Sequence, residues 1–67
     1  MDPKIGTAAG NVYRYLESNG AASIAQVKRE TGLTESLTSQ AIGWLAREHK
    51  VERMPEGRVT RWAVVAG

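Results

Sequence analysis

Apolar residues at Ile5, Ala9, Val12, Tyr13 and Leu16 recur at intervals of three and four. At about 100° per residue this spacing gathers them on one side of a helix, with Arg14 and Ser18 opposite. Thr7 is the expected N-cap and Gly20 the expected stop. A second, shorter helix is expected after Ser23. Ser23 and Gln26 have capping-box spacing, in which each side chain serves a free backbone N–H. Ile24 and Val27 face inward, Lys28, Arg29 and Glu30 face solvent, and Gly32 ends the element. Ala21 and Ala22 are candidates for a stub of strand before it. Thr34 then caps a third helix reaching to Glu48. Leu37, Ala41, Trp44 and Leu45 form its apolar stripe, with Ile42 on the flank and Ser36, Ser39, Gln40, Gly43 and Arg47 opposite.

Beyond His49 the period of the pattern falls to two, as in strands. Val51–Met54 and Val59–Val65 are the expected strands, joined by a turn at Pro55-Glu56-Gly57-Arg58. Pro fixes φ there, and Gly supplies a positive φ. Thr60, Trp62 and Val64 share one face of the resulting hairpin. The expected core is Ile5, Ala9, Val12, Leu16, Ile24, Val27, Leu33, Leu37, Ala41, Leu45, Val51, Trp62 and Val64.

The order of elements is helix, short helix, turn, helix, hairpin. Two helices joined by a short turn containing Gly form a helix-turn-helix signal. The turn here is Thr31-Gly32-Leu33-Thr34. With a hairpin directly after the second of those helices, the chain resembles the winged helix-turn-helix superfamily over nearly its whole length. Thr31-Gly32-Leu33-Thr34-Glu35-Ser36-Leu37 looks like the family's entry into its recognition helix. Leu45-Ala46-Arg47-Glu48-His49-Lys50-Val51 looks like its helix-to-wing junction. More narrowly, Ile42-Gly43-Trp44-Leu45-Ala46-Arg47-Glu48 is similar to a group of short stand-alone bacterial and archaeal winged helix domains of uncharacterised function.

The resemblance implies an α+β fold with three helices and a C-terminal β-hairpin wing. It also implies a third helix in the DNA major groove and a wing near the backbone. Carried onto this sequence, Ser36, Ser39, Gln40 and Arg47 would face DNA, and Lys50, Arg53, Arg58 and Arg61 would meet phosphates. The chemistry agrees: Gln pairs with adenine, Ser with several base edges, and Arg with guanine or phosphate. Transcriptional regulation by binding double-stranded DNA is therefore the leading expectation. The competing one is a protein-interaction or homodimerisation module. Its close-approach face would be Ser39, Gly43 and Ala46, where small residues line the outer side of the third helix.

Composition narrows these readings. At 67 residues, the chain is expected to form a single domain over residues 1–67. A domain this small buries only about 60% of the surface its unfolded chain exposes. It has no cysteine and one histidine, His49, so neither a disulfide framework nor a Cys- or His-rich metal site is expected. Lys and Arg number 9 against 7 Asp and Glu, a formal net charge of +2, so the placement of charges matters more than their sum. The first half of the third helix has no Lys or Arg, and Glu35 stands near its start. Glu48, Glu52 and Glu56 are interspersed among the basic residues of the wing. The electrostatic affinity expected of a monomer is accordingly modest.

No enzymatic role is expected. His49 and Glu48 are adjacent and so point in different directions on a helix, with no third group to complete a catalytic set. The glycines of Gly6-Thr7-Ala8-Ala9-Gly10 lack the Lys-Ser/Thr of a phosphate loop. No cofactor, metal or small-molecule ligand is inferred. No run of signal-peptide length or membrane-spanning hydropathy is seen, and the expected setting is cytoplasmic.

Overall fold

The computed structural model describes residues 3–65. The order is α1 (Pro3–Asn19), α2 (Ile24–Thr31), α3 (Glu35–Arg47), β1 (Val51–Glu56) and β2 (Val59–Val64), the expected α+β arrangement of three helices and a hairpin.

Helix α1 begins at Pro3, four residues before the expected cap, so Thr7 lies inside the helix and is exposed. Proline suits a first turn because its missing N–H has no intrahelical acceptor there. Ala8, outside the expected stripe, joins the core beside Ala9, Val12 and Leu16. It ends where Gly20, at φ 84°, donates its N–H to the Leu16 carbonyl.

Helix α2 is capped by Ser23, whose Oγ accepts from the Gln26 N–H at 3.1 Å. The Gln26 side chain turns instead toward α1, and its Nε2 donates to the Tyr15 hydroxyl at 3.3 Å. Half of the expected capping box has thus become a link between two helices. Gly32, at φ 74°, closes α2 by donating to the Lys28 carbonyl. Thr34 caps α3, its Oγ1 accepting from the Leu37 N–H at 3.1 Å.

The buried residues of α3 are Thr38, Ala41, Ile42 and Leu45. Leu37 and Trp44 are half-buried and pack against this core from its edges. The inward face is therefore shifted from the expected stripe toward Thr38 and Ile42. Thr38 is completely buried, and its hydroxyl donates to the Thr34 carbonyl at 2.8 Å. That bond meets the requirement of a polar group removed from water.

Helix α3 ends in a Schellman motif. The N–H of His49 donates to the Ala46 carbonyl at 3.0 Å and that of Lys50 to the Leu45 carbonyl at 2.9 Å. The left-handed position, usually glycine, is His49 at φ 61°.

Strands β1 and β2 pair antiparallel from Val51 with Val64 to Glu56 with Val59. The turn is shorter than expected. Pro55 and Glu56 belong to β1, and only Gly57-Arg58 connect the strands. Gly57 has φ 62° and Arg58 an ordinary negative φ, the φ pattern of a type II′ turn, which matches the strand twist. On its far side β2 meets the expected strand stub. Trp62 donates to the Ala22 carbonyl at 2.8 Å, and Ala22 donates to the Trp62 carbonyl at 3.0 Å.

Because Trp62 spends its backbone groups on Ala22, its rung with Arg53 is one without hydrogen bonds. Alternation makes the Pro55–Thr60 rung another. The N of Pro55 therefore points away from β2, and its missing hydrogen removes no bond of the ladder. The expected core residues Ile5, Ile24, Leu33, Leu37, Trp62 and Val64 are half-buried, while Ala8, Ala22 and Ile42 complete the fully buried set.

Candidate nucleic-acid interface

Helix α3 packs against α1, α2 and β1. Its opposite side carries Ser36, Ser39, Gln40, Gly43 and Arg47, all exposed. Beyond its neighbours and the helix's own backbone, a Cβ built on Gly43 would meet no atom of the described residues within 4 Å. No contact among the described residues therefore requires a glycine there, although glycine costs a helix about 1 kcal/mol relative to alanine. Ala46, expected on the same open side, is half-buried and packs against the core. Of the proposed close-approach trio, only Ser39 and Gly43 face outward.

Two features of this face come from contacts. The Gln40 Nε2 donates to the Ser36 Oγ at 3.0 Å, one helical turn away. At the start of α3, Glu35 lies 4.0 Å from the Lys28 ammonium of α2. Both groups are well exposed, so the pair adds little stability, but it offsets the charge of a cation beside the face. Arg29 has a carboxylate partner in Glu30 at 3.9 Å. Between α2 and α3 runs a groove of about 350 Å³ lined by Ile24, Ala25, Lys28, Glu35 and Ser39. The Lys28–Glu35 contact was not legible in the sequence, because it depends on how two helices cross rather than on spacing within one.

The remaining candidates lie along the junction and hairpin. Lys50, Arg53, Arg58 and Arg61 are all exposed, but the register divides them. Side chains alternate between the two faces of a strand, and paired residues share a face. Arg53 is therefore on the side of Val51, Trp62 and Val64, which pack on the helices. Arg61 is on the other side with Met54, Val59 and Glu52, where Met54 and Val59 are 44% and 47% exposed. Arg58 stands at the tip. Among the described residues, Arg47, Lys50, Arg53 and Arg58 have no ion pair. Cations without an ion pair thus run from the end of α3 along the wing, with Glu48, Glu52 and Glu56 interspersed in sequence, while both cations of α2 are paired.

The described residues contain no group of three or more His, Cys, Asp or Glu placed to hold a metal ion. None of their helices is long and apolar enough to cross a membrane.

A helix-turn-helix followed by a two-stranded ribbon, with the second helix of the motif open on one side, defines a winged helix-turn-helix domain. The chain belongs to the winged helix-turn-helix domain family DUF2582, whose model matches residues 1–62. It is 36% identical over 64 residues to the uncharacterized protein MJ1608 of Methanocaldococcus jannaschii, covering 91% of this chain and 87% of that one. Among solved structures it is similar to the solution NMR structure of BT2368 from Bacteroides thetaiotaomicron. That match has 32% identity and a TM-score of 0.86, and covers 96% of this chain and 79% of the other. The Zalpha domain of Carassius auratus PKZ, in a crystal structure with Z-DNA, matches at 20% identity with a TM-score of 0.79. There the coverage is 91% of this chain and 97% of that one, and the likeness is one of fold. A structure from work on the DNA recognition and protein interaction domains of HOP2 matches at 28% identity, TM-score 0.72, covering 87% and 98%.

Proposed function

We propose that this chain is a DNA-binding domain acting in transcriptional regulation, with α3 in the major groove and the wing on the adjacent backbone. One observation carries the reading. The exposed, mostly uncharged side of α3 is continuous in sequence with Arg47, Lys50, Arg53 and Arg58, which lack ion pairs among the described residues. An exposed cation with no carboxylate partner can neutralise a phosphate and release its counterion. The Z-DNA held by the PKZ domain and the DNA recognition of HOP2 support the same class of partner.

The test is a titration of backbone amide shifts with a short duplex at two salt concentrations. Movement concentrated at residues 36–47 and 50–58, weaker at the higher salt, is the expected result. An unmoved spectrum at low salt and high protein concentration would rule the reading out.

The open space above Gly43 favours a second reading, in which α3 packs on α3 of another copy. It requires a concentration-dependent dimer in sedimentation that Gly43→Leu abolishes. A monomer at every concentration removes it.

A further inference from the structure

The outer side of α3 is poorly equipped to distinguish bases. Direct readout relies on long side chains with two free hydrogen-bonding positions: Arg or Lys for guanine, Asn or Gln for adenine. From Glu35 to Ala46 this helix has no Arg, Lys or Asn. Its one Gln, Gln40, has one of its two amide hydrogens on the Ser36 hydroxyl, which lays the amide along the helix toward the preceding turn. Reading adenine needs the other hydrogen and the amide oxygen turned together to the base edge. Glu35, of the residue type that accepts from cytosine, stands 4.0 Å from the Lys28 ammonium. Ser39 is short, and Gly43 has no side chain at all. Long cationic side chains begin only at Arg47, and continue through Lys50 to Arg53 and Arg58.

We infer that the domain binds duplex DNA without regard to base sequence, through phosphates held by Arg47, Lys50, Arg53 and Arg58, while Ser36, Ser39 and Gly43 let α3 settle between the walls of the groove. The inference rests on the proposed function and specifies its ligand class: the phosphodiester backbone of a duplex. Each bidentate base contact discriminates by about tenfold to a hundredfold, so a surface without them separates sequences weakly. Counterion release from four phosphates gives log K a slope of about −3.6 against log salt. Arg61 is on the opposite face of the hairpin from Arg53 and lies outside the contact set.

The experiment is one round of selection from a pool of randomised duplexes, followed by anisotropy titrations of recovered and scrambled sequences over a range of salt. The expected result is no enriched motif and affinities that agree within about threefold, since no bidentate contact separates them. Arg53→Ala and Arg58→Ala should each flatten the slope by about one, the contribution of a single phosphate contact. Gln40→Ala should leave the ranking of sequences unchanged. A recovered motif bound more than about tenfold tighter than its scramble, the discrimination of one good base contact, overturns the inference and leaves DNA binding standing. If Arg61→Ala flattens the slope as much as Arg53→Ala, the assigned surface is wrong. If no duplex binds, the proposed function and this inference fail together.

Discussion

Ala22 and Trp62 hold each other by both backbone groups, at 2.8 and 3.0 Å, so the loop before α2 is fastened directly to the wing. Ala22 is 1% exposed, and water cannot replace either bond. Proline at position 22 would delete one donor and leave the Trp62 carbonyl unsatisfied, at a cost of about 1–3 kcal/mol. Ala22→Pro should lower the urea midpoint and speed amide exchange along β2. Unchanged stability would mean that the bridge contributes nothing.

The α3–β1 junction carries a conformational cost that one substitution relieves. His49 is at φ 61°, where an L-residue other than glycine is disfavoured by about 1–2 kcal/mol. Glycine would remove that cost but add freedom to the unfolded chain. His49→Gly should therefore stabilise the protein by about 0.5–1 kcal/mol, read as a higher melting temperature. A fall in stability would show that the imidazole makes a contact worth more than the strain.

Core substitutions on α3 should fall in a definite order. Ile42 is 1% exposed and Leu45 2%, so Ile42→Ala and Leu45→Ala should each cost about 2–5 kcal/mol. Leu37 is only half-buried, beside an apolar groove of about 340 Å³ that it shares with Lys4, Thr7, Ala8 and Leu33. Leu37→Ala should cost less than either. Denaturant unfolding of the three variants settles the order, and the reverse ranking would contradict the packing described.

Gly43 allows stability and binding to be separated. Its Cβ position is open, so Gly43→Ala should stabilise the helix by about 1 kcal/mol. Gly43→Leu places bulk on the face assigned to DNA and should weaken duplex binding while the fold is retained. A leucine variant that binds like the parent would show that nothing approaches the helix there.

The helical stripes, the caps at Ser23 and Thr34 and the change of period after His49 were enough to find each helix and the hairpin, although α1 starts four residues before its expected cap and the turn is shorter by two. Leu45 and Val12 could be placed inside because their neighbours at helical spacing are also apolar. Thr38 could not, since a hydroxyl gives no sign of burial until its partner, the Thr34 carbonyl, is known. Its inclusion, together with Ile42, is what turns the inner face of α3. The left-handed residue was equally hidden, because His49 offers none of glycine's conformational freedom. At the interface, the exposure of Ser36, Gln40 and Arg47 followed from the helical pattern alone. The division of Arg53 from Arg61 needed the strand register, and the balancing of Lys28 by Glu35 needed the crossing of two helices.

A two-stranded ribbon has a rim where another molecule's strand could dock and begin a growing stack. On β1 that rim is formed by the outward backbone of Arg53 and Pro55, since Val51 is buried against the helices. An incoming strand would meet a cationic side chain at Arg53 and, at Pro55, a gap where it needs a hydrogen to accept. Both features oppose the addition of a further strand to the wing, as charge and proline do on sheet edges generally.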